Sequence, residues 1–280
     1  MISCKFSGGL GNNLFQLSAI YNLHKKHKVD YFLQKAVNRI NLKENYTQRR
    51  DLEIEQLFEN QFRFNSVRFD MNYRHVDMQP SHDSTYREIP FFNDKNVCYE
   101  GYFQSPLYHS NFNPREEFIL NKDIKKKIYS LYDVVFEKPT ISLHFRIGGD
   151  RVSKKVQFYH KNLKLKYYRE AIERVCNEQS FQKEEINLIL FSDKINEAYS
   201  YFKNNGINVI AAKNKNNVED FIHMSMCEHN IIGNSTFSWW AAYLNKNENK
   251  TVIAPKSDWY GPGYKHMILD DLFPNNWITM

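Results

Sequence analysis

Asn230-Ile231-Ile232-Gly233-Asn234-Ser235-Thr236-Phe237-Ser238-Trp239-Trp240-Ala241-Ala242-Tyr243-Leu244 is the stretch that decides the fold. Residues 230–233 form a short apolar run ending in glycine, which reads as a strand and a tight turn. Asn234, Ser235 and Thr236 then stand directly before an apolar, helix-favouring run. Such residues cap helices because their side-chain oxygens accept bonds from orphan backbone N–H groups. Strand, glycine, hydroxyl cluster and helix together turn bare N–H groups and a positive dipole end toward a phosphate. An ordinary capped helix whose two tryptophans fill a core has the same layout, and local chemistry alone leaves both readings open.

Outward from this stretch, strands alternate with helices. Towards the N-terminus the strands are 140–147, 186–191 and 207–211, with helices at 167–176, 196–202 and 218–227; a last strand follows at 252–255. The first half repeats the pattern. A strand over 2–6 meets Gly8-Gly9-Leu10-Gly11-Asn12-Asn13, then a helix over 14–24, a strand over 31–33, an aromatic strand over 97–103 and an amphipathic helix from 124 to 135. Alternation of this kind predicts an α/β protein with parallel, doubly wound sheets. Its repetition predicts two domains, 1–136 and 137–280, the first carrying an irregular polar insertion over 38–95. The glycines at 8, 9 and 11 lack the G-x-G-x-x-G spacing of a dinucleotide fingerprint. A tight turn that packs a helix on a sheet explains them as well as a ligand loop does.

Composition narrows the function classes. The 280 residues carry a formal charge of +6 with the basic residues interspersed, which suits an anionic ligand. No zinc-finger, helix-turn-helix or basic-zipper spacing supports a nucleic-acid partner. Cys4, Cys98, Cys176 and Cys227 are far apart and include no C-x-x-C, which points to a reduced compartment and away from a zinc site. The opening residues are broken by Lys5 and Gly8 and do not read as a signal peptide. No run approaches the roughly 20 apolar residues of a spanning helix. The expected location is the cytoplasm, with at most peripheral contact at the inner face of the membrane.

In open α/β sheets, ligands bind beyond the carboxyl ends of the strands. Four polar clusters fall there: Gly8 to Asn13, His144-Phe145-Arg146, Ser192-Asp193 and Asn234-Ser235-Thr236. Any one of them can be explained as satisfying nearby backbone. Together they suggest a phosphate-bearing ligand. Arg146 can grip a phosphate through two N–H groups, Ser235 and Thr236 add donors at a helix N-terminus, and Asp193 can accept from a ribose hydroxyl or a guanine edge. There is no P-loop, no G-x-S-x-G elbow and no Asp-x-Asp pair. Without such carboxylates to hold a metal on a diphosphate, positive charge has to come from Arg146 and the helix dipole.

These motifs resemble the α-1,2-fucosyltransferases, glycosyltransferase family 11. The resemblance rests on Gly8 to Gln16, Gly101-Tyr102-Phe103-Gln104-Ser105, His144-Phe145-Arg146, Phe191-Ser192-Asp193, and Cys227 to Asn230 running into Asn234 to Leu244. Ala254-Pro255-Lys256 followed by Trp259 adds to it, and the matches run in order from Gly8 to Trp259. The resemblance implies a GT-B-like fold of two Rossmann-like domains facing a cleft. It implies GDP-L-fucose as donor, no metal cofactor, inversion at the anomeric carbon, and O-2 of a terminal galactose as the receiving hydroxyl. Polysaccharide or lipid-linked O-antigen intermediates are the expected acceptors, selected by the first domain and its 38–95 segment.

Carried onto this sequence, the resemblance gives Arg146 the diphosphate and gives His144 and Asp193 the nucleoside end, with Ser192 beside them. Asn234, Ser235, Thr236 and Phe237 face the donor, while Trp239, Trp240 and Leu244 anchor their helix in the core. Gly9 and Gly11 let backbone approach the diphosphate, and Asn12 orients donor and acceptor. The family pattern H-x-R-R-G-D is altered: Ile147 stands at the second arginine, and Gly148-Gly149-Asp150 sets Asp150 one place late. Asp150 is the nearest acid to serve as general base. The altered motif leaves open another GDP-activated 6-deoxyhexose as donor. A catalytically silent glycan- or nucleotide-binding relative is the reading from a different class. A Rossmann oxidoreductase is opposed by the glycine spacing.

Overall fold

The computed structural model describes residues 1–34, 37–39, 47–65, 73–78, 84–93, 96–204 and 206–280. The chain forms two compact units, 1–120 with 268–274 and 121–267 with 275–280. The divide falls ahead of the 136/137 boundary expected from the sequence, and a short C-terminal segment returns to the first unit.

The first unit contains β1 (Ile2–Cys4), α1 (Leu10–His27), β2 (Tyr31–Gln34), β3 (Val37–Arg39), β4 (Thr47–Arg49), α2 (Arg50–Leu57), β5 (Phe64–Asn65), β6 (Tyr73–Asp77), β7 (Asn96–Glu100) and the single turn α3 (Pro114–Glu117). Its sheet has the order β5-β2-β1-β7-β6 and is parallel throughout. β3 and β4 form a separate antiparallel pair. The central strand β1 is buried at every residue, as expected for a parallel strand covered on both faces. α1 begins inside the glycine-rich turn, earlier than the apolar spacing indicates. Its last turn carries His24 to His27, which suits the negative end of the helix dipole.

The 38–95 stretch is more than an insertion. Parts of it lie outside the described residues, but β5 and β6 within it supply both edges of the sheet. They escape sequence reading because edge strands are half exposed: along β6 burial is intermediate or absent, so no apolar run forms.

The second unit contains α4 (Lys122–Leu131), β8 (Thr140–His144), α5 (Lys154–Tyr159), α6 (Leu165–Gln179), β9 (Asn187–Phe191), α7 (Ile195–Phe202), β10 (Asn208–Ala211), α8 (Asn217–Met226), β11 (His229–Ile231), α9 (Thr236–Leu244), β12 (Val252–Ala254) and β13 (Ile278–Thr279). The strand order is β10-β9-β8-β11-β12-β13, again all parallel. Every residue of β8 and β9 is buried. Ile141, Leu143, Leu188 and Leu190 pack with Ile172 and Val175 of α6 and Phe202 of α7. α4 belongs here because its Ile128 is fully buried and its Lys127 pairs with Glu219 of α8 at 2.5 Å. That pairing turns one residue of the Lys125-Lys126-Lys127 run toward α8. Trp239, Trp240 and Leu244 are buried in the core, as expected. All four cysteines are free and buried. Among the described residues, no helix is long and apolar enough to cross a membrane.

Candidate active site

Each sheet has one place where the strand order reverses. In the first unit the chain moves outward from β1 through β2 to β5, then resumes on the other side of β1 at β6 and β7. In the second it moves from β8 through β9 to β10, then resumes beside β8 at β11. Such switch points open a crevice at the carboxyl ends of the two flanking strands. The strongest motifs follow those strands: Gly8–Asn13 after β1, Gly101–Ser105 after β7, His144–Arg146 at the end of β8, and Gly233–Phe237 after β11.

In the second unit, α9 starts at Ser235, whose extended backbone is that of an N-cap but whose side chain makes no capping bond; its first turn holds no acidic residue. The first N–H groups of a helix have no partner within it, so this end is electropositive. Ser235, Thr236 and Phe237 are half-buried. Close packing makes Gly233 necessary: a Cβ there would lie 2.9 Å from the His144 carbonyl oxygen. The His144 ring lies 5.9 Å from the Phe237 ring. His144 is buried, and its Nδ1 has no hydrogen-bond partner in the protein. Burial, with the charges of Arg146 and Arg151 adding to it, pushes the imidazole down to about 3. It is therefore neutral at physiological pH, able to donate or accept one bond. Arg146 follows two residues later, half-buried, and its main-chain N–H donates to the Tyr168 hydroxyl.

Asp193 and Asn234 hold this framework as well as bordering it. Asp193 Oδ1 accepts from the main-chain N–H groups of Ile147 at 3.1 Å and Gly148 at 2.8 Å, so that oxygen serves the loop after β8 and the exposed carboxylate has its other oxygen left for a ligand. The Asn234 amide donates to the carbonyls of Lys161 at 2.8 Å and Trp259 at 3.2 Å, which makes its side chain a brace for the start of α9. Ser192 Oγ accepts from the Lys194 N–H at 3.1 Å. The main chain of Asp150 lies in a short 3-10 turn, Gly149–Val152; its side chain is outside the described residues. Among the described residues, no group of three His, Cys, Asp or Glu side chains gathers as a metal set.

In the first unit, Gly8 has φ +79°, and a Cβ there would run into the Asn12 side chain. Gly9 is the N-cap of α1 with no side-chain bond and open space above it; Gly11 is buried within the helix. Asn12 Oδ1 accepts from Gln104 Nε2 at 3.1 Å. Gln16 donates to the Gly101 carbonyl at 2.9 Å and to Ser7 Oγ at 3.0 Å, while accepting from Ser7 N–H and the Asn13 amide. These bonds join the loops after β1 and β7.

Sequence reasoning missed Arg151, Gln16 and Gln104 as builders of these loops. Arg151 is buried and donates to three main-chain carbonyls: His160 at 2.7 Å, Lys161 at 2.9 Å and Asn234 at 3.0 Å. The one available signal was composition: an arginine beside a displaced Asp150 in a motif that has lost its second arginine.

Comparison with known proteins agrees with this architecture. POFUT1 in complex with GDP-fucose is 13% identical with a TM-score of 0.56, over 90% of this chain and 96% of that one. The NodZ alpha-1,6-fucosyltransferase of Bradyrhizobium, soaked with GDP-fucose, is 13% identical with a TM-score of 0.52, over 87% and 92%. At such identities these likenesses speak to the GT-B-like α/β fold. The O-antigen biosynthesis glycosyltransferase WbnK of Escherichia coli is 28% identical over an alignment of 333 positions, gaps included, that spans all of both chains. The profile of Glycosyl transferase family 11 matches residues 1–280, and the chain belongs to that family.

Proposed function

We propose that this glycosyltransferase moves L-fucose from GDP-β-L-fucose to O-2 of a terminal galactose, with inversion at the anomeric carbon and without a metal. The acceptor we assign is a surface-polysaccharide or lipid-linked O-antigen intermediate, modified in the cytoplasm or at the inner face of its membrane. One observation carries the donor: an uncapped helix N-terminus, a neutral buried histidine with an unpartnered Nδ1, and an arginine meet at one switch point. POFUT1 and NodZ, whose folds are similar, have been captured with GDP-fucose. WbnK supports the acceptor class through its O-antigen role.

The chemistry follows from charge. The acceptor hydroxyl attacks the anomeric carbon from the face opposite GDP, through an oxocarbenium-like transition state. As the glycosidic bond breaks, negative charge grows on the β-phosphate. In this reading Arg146 and the first-turn N–H groups of α9 stabilise it. His144 and Asp193 hold the nucleoside end. Gly9 and Gly11 let backbone come close to the donor, Asn12 orients the reacting groups, and Asp150 takes the acceptor proton. A transfer assay with GDP-fucose against a panel of β-galactosides, with the product linkage determined, tests the reading. An α-1,2-linked product supports it; turnover only with a different nucleotide sugar overturns it.

A further inference from the structure

The loop after β8 sets an apolar side chain and a buried cation close together. Ile147, at the position where the family motif has its second arginine, packs its side chain against the apolar core of the second unit. Four residues on, Arg151 is buried. Its guanidinium reaches the carbonyl of Asn234, the residue just before the Ser235 N-cap, and the carbonyls of His160 and Lys161. The Asn234 amide donates to the same Lys161 carbonyl, and the Gln157 amide donates to the Arg151 carbonyl at 2.7 Å. The start of α9, the 160–161 turn and the β8 loop thus share one buried cation. His144 is close enough to feel it.

A guanidinium that spends its N–H groups on three carbonyls keeps its charge while fixing the main chain around it. Here it does so behind the N-terminus of α9. We propose that Arg151 is the second cation of the diphosphate site, beside Arg146: a positioning residue that holds the start of α9 and places a fixed positive charge behind it. The inference rests on the reading of this site as a GDP-sugar pocket. It predicts that Arg151 acts on the β-phosphate in particular, leaving recognition of the nucleoside alone.

The test is the ratio of GDP to GMP affinity, measured by calorimetry on the full chain, because only GDP carries the β-phosphate. Arg151→Met is expected to lower the ratio about tenfold, the scale of one unit charge acting through protein. Arg151→Lys keeps the charge and is expected to hold the ratio within about threefold of wild type, although its melting temperature falls with the lost carbonyl bonds. An unchanged ratio in Arg151→Met, or a ratio in Arg151→Lys that falls as far as in Arg151→Met, overturns the proposal. If Arg151→Met does not fold, a tenfold fall in Arg151→Lys overturns it and a retained ratio supports it. Wild-type protein that does not prefer GDP to GMP overturns the donor reading itself. That outcome differs from a wild-type preference which Arg151→Met leaves intact.

Discussion

Asp193 Oδ1 accepts two main-chain hydrogen bonds, from Ile147 and Gly148, and so fixes the loop that carries Arg146. Gly148 is part of the same arrangement. A Cβ there would lie 3.0 Å from Asp193 Cγ and 2.9 Å from Lys194 Cγ, so any side chain pushes the carboxylate off the two N–H groups. Asp193→Ala and Gly148→Ala are therefore predicted to share one phenotype: a donor KM raised by about fivefold to tenfold, the scale of one charge-assisted bond. The double variant should be no worse than Asp193→Ala alone, since Gly148→Ala acts only through that carboxylate. Donor kinetics on the three variants check this, and additive effects would show that the residues act separately.

In the proposed reaction Arg146 meets charge that develops only as the donor breaks. Arg146→Ala should cost about a hundredfold or more in kcat, as loss of an oxyanion donor does, with little change in melting temperature for a half-buried side chain. Activity should also survive EDTA, since in the proposed mechanism the arginine and the α9 dipole offset the diphosphate charge without a metal. Turnover close to wild type in Arg146→Ala, or strict dependence on Mn²⁺ or Mg²⁺, would defeat this assignment.

Acid should unfold the protein through its histidines. Burial pushes His109, His144 and His223 down to about 3 and His229 to about 4. In the unfolded chain each titrates near 6.5. From about pH 6.5 down to about pH 4, the unfolded state binds protons that the fold refuses, so stability falls as pH falls. Asp220 works in the opposite sense: burial raises it to about 6, so below that pH the fold keeps a proton that the unfolded carboxyl releases down to about pH 4. The net expectation is uptake of about three protons on unfolding near pH 5. Urea midpoints measured from pH 8 to pH 5 check it, and a flat profile across pH 7 to 5 would contradict neutral buried imidazoles.

How much of this was legible in the sequence follows from which residues leave a pattern. β8 and β9 are buried on both faces, so their apolar runs stand out, and glycine and hydroxyl clusters marked the strand ends beside them. β5 and β6 are short and lie at sheet edges, so they left no such run. The divide ahead of α4 depends on the burial of Ile128 and on Lys127 meeting Glu219 of α8, long-range packing that local periodicity does not encode. At the site, residue types indicated a phosphate ligand, but not that Asp193 and Asn234 would spend their side chains on backbone. Arg151 was invisible for the same reason: its partners are main-chain carbonyls, which look alike in every sequence.

Asn12 is held from behind by a turn that carries strain. Phe103 has φ +51°, a left-handed conformation that costs a residue with a side chain about 1–2 kcal/mol. Its buried ring meets Tyr108 edge-on at 5.4 Å, and it packs so tightly over Gly101 that a Cβ there would lie 2.9 Å from the ring. The turn delivers the next residue, Gln104, to Asn12 Oδ1 at 3.1 Å. Strain of this kind persists only where surrounding packing enforces it, and it gathers at functional sites. Two measurements separate strain from function. Phe103→Ala and Phe103→Gly lose the same ring, but the glycine variant relaxes the backbone and should be more stable than the alanine variant by about 1 kcal/mol, the reverse of the usual order. Gln104→Ala keeps the turn and removes its bond to Asn12. It should lower kcat about tenfold, the scale expected when a positioned group is set loose, with melting temperature nearly unchanged. Wild-type turnover in Gln104→Ala would mean that Asn12 needs no support, and an alanine variant at 103 as stable as the glycine variant would mean that the turn is unstrained.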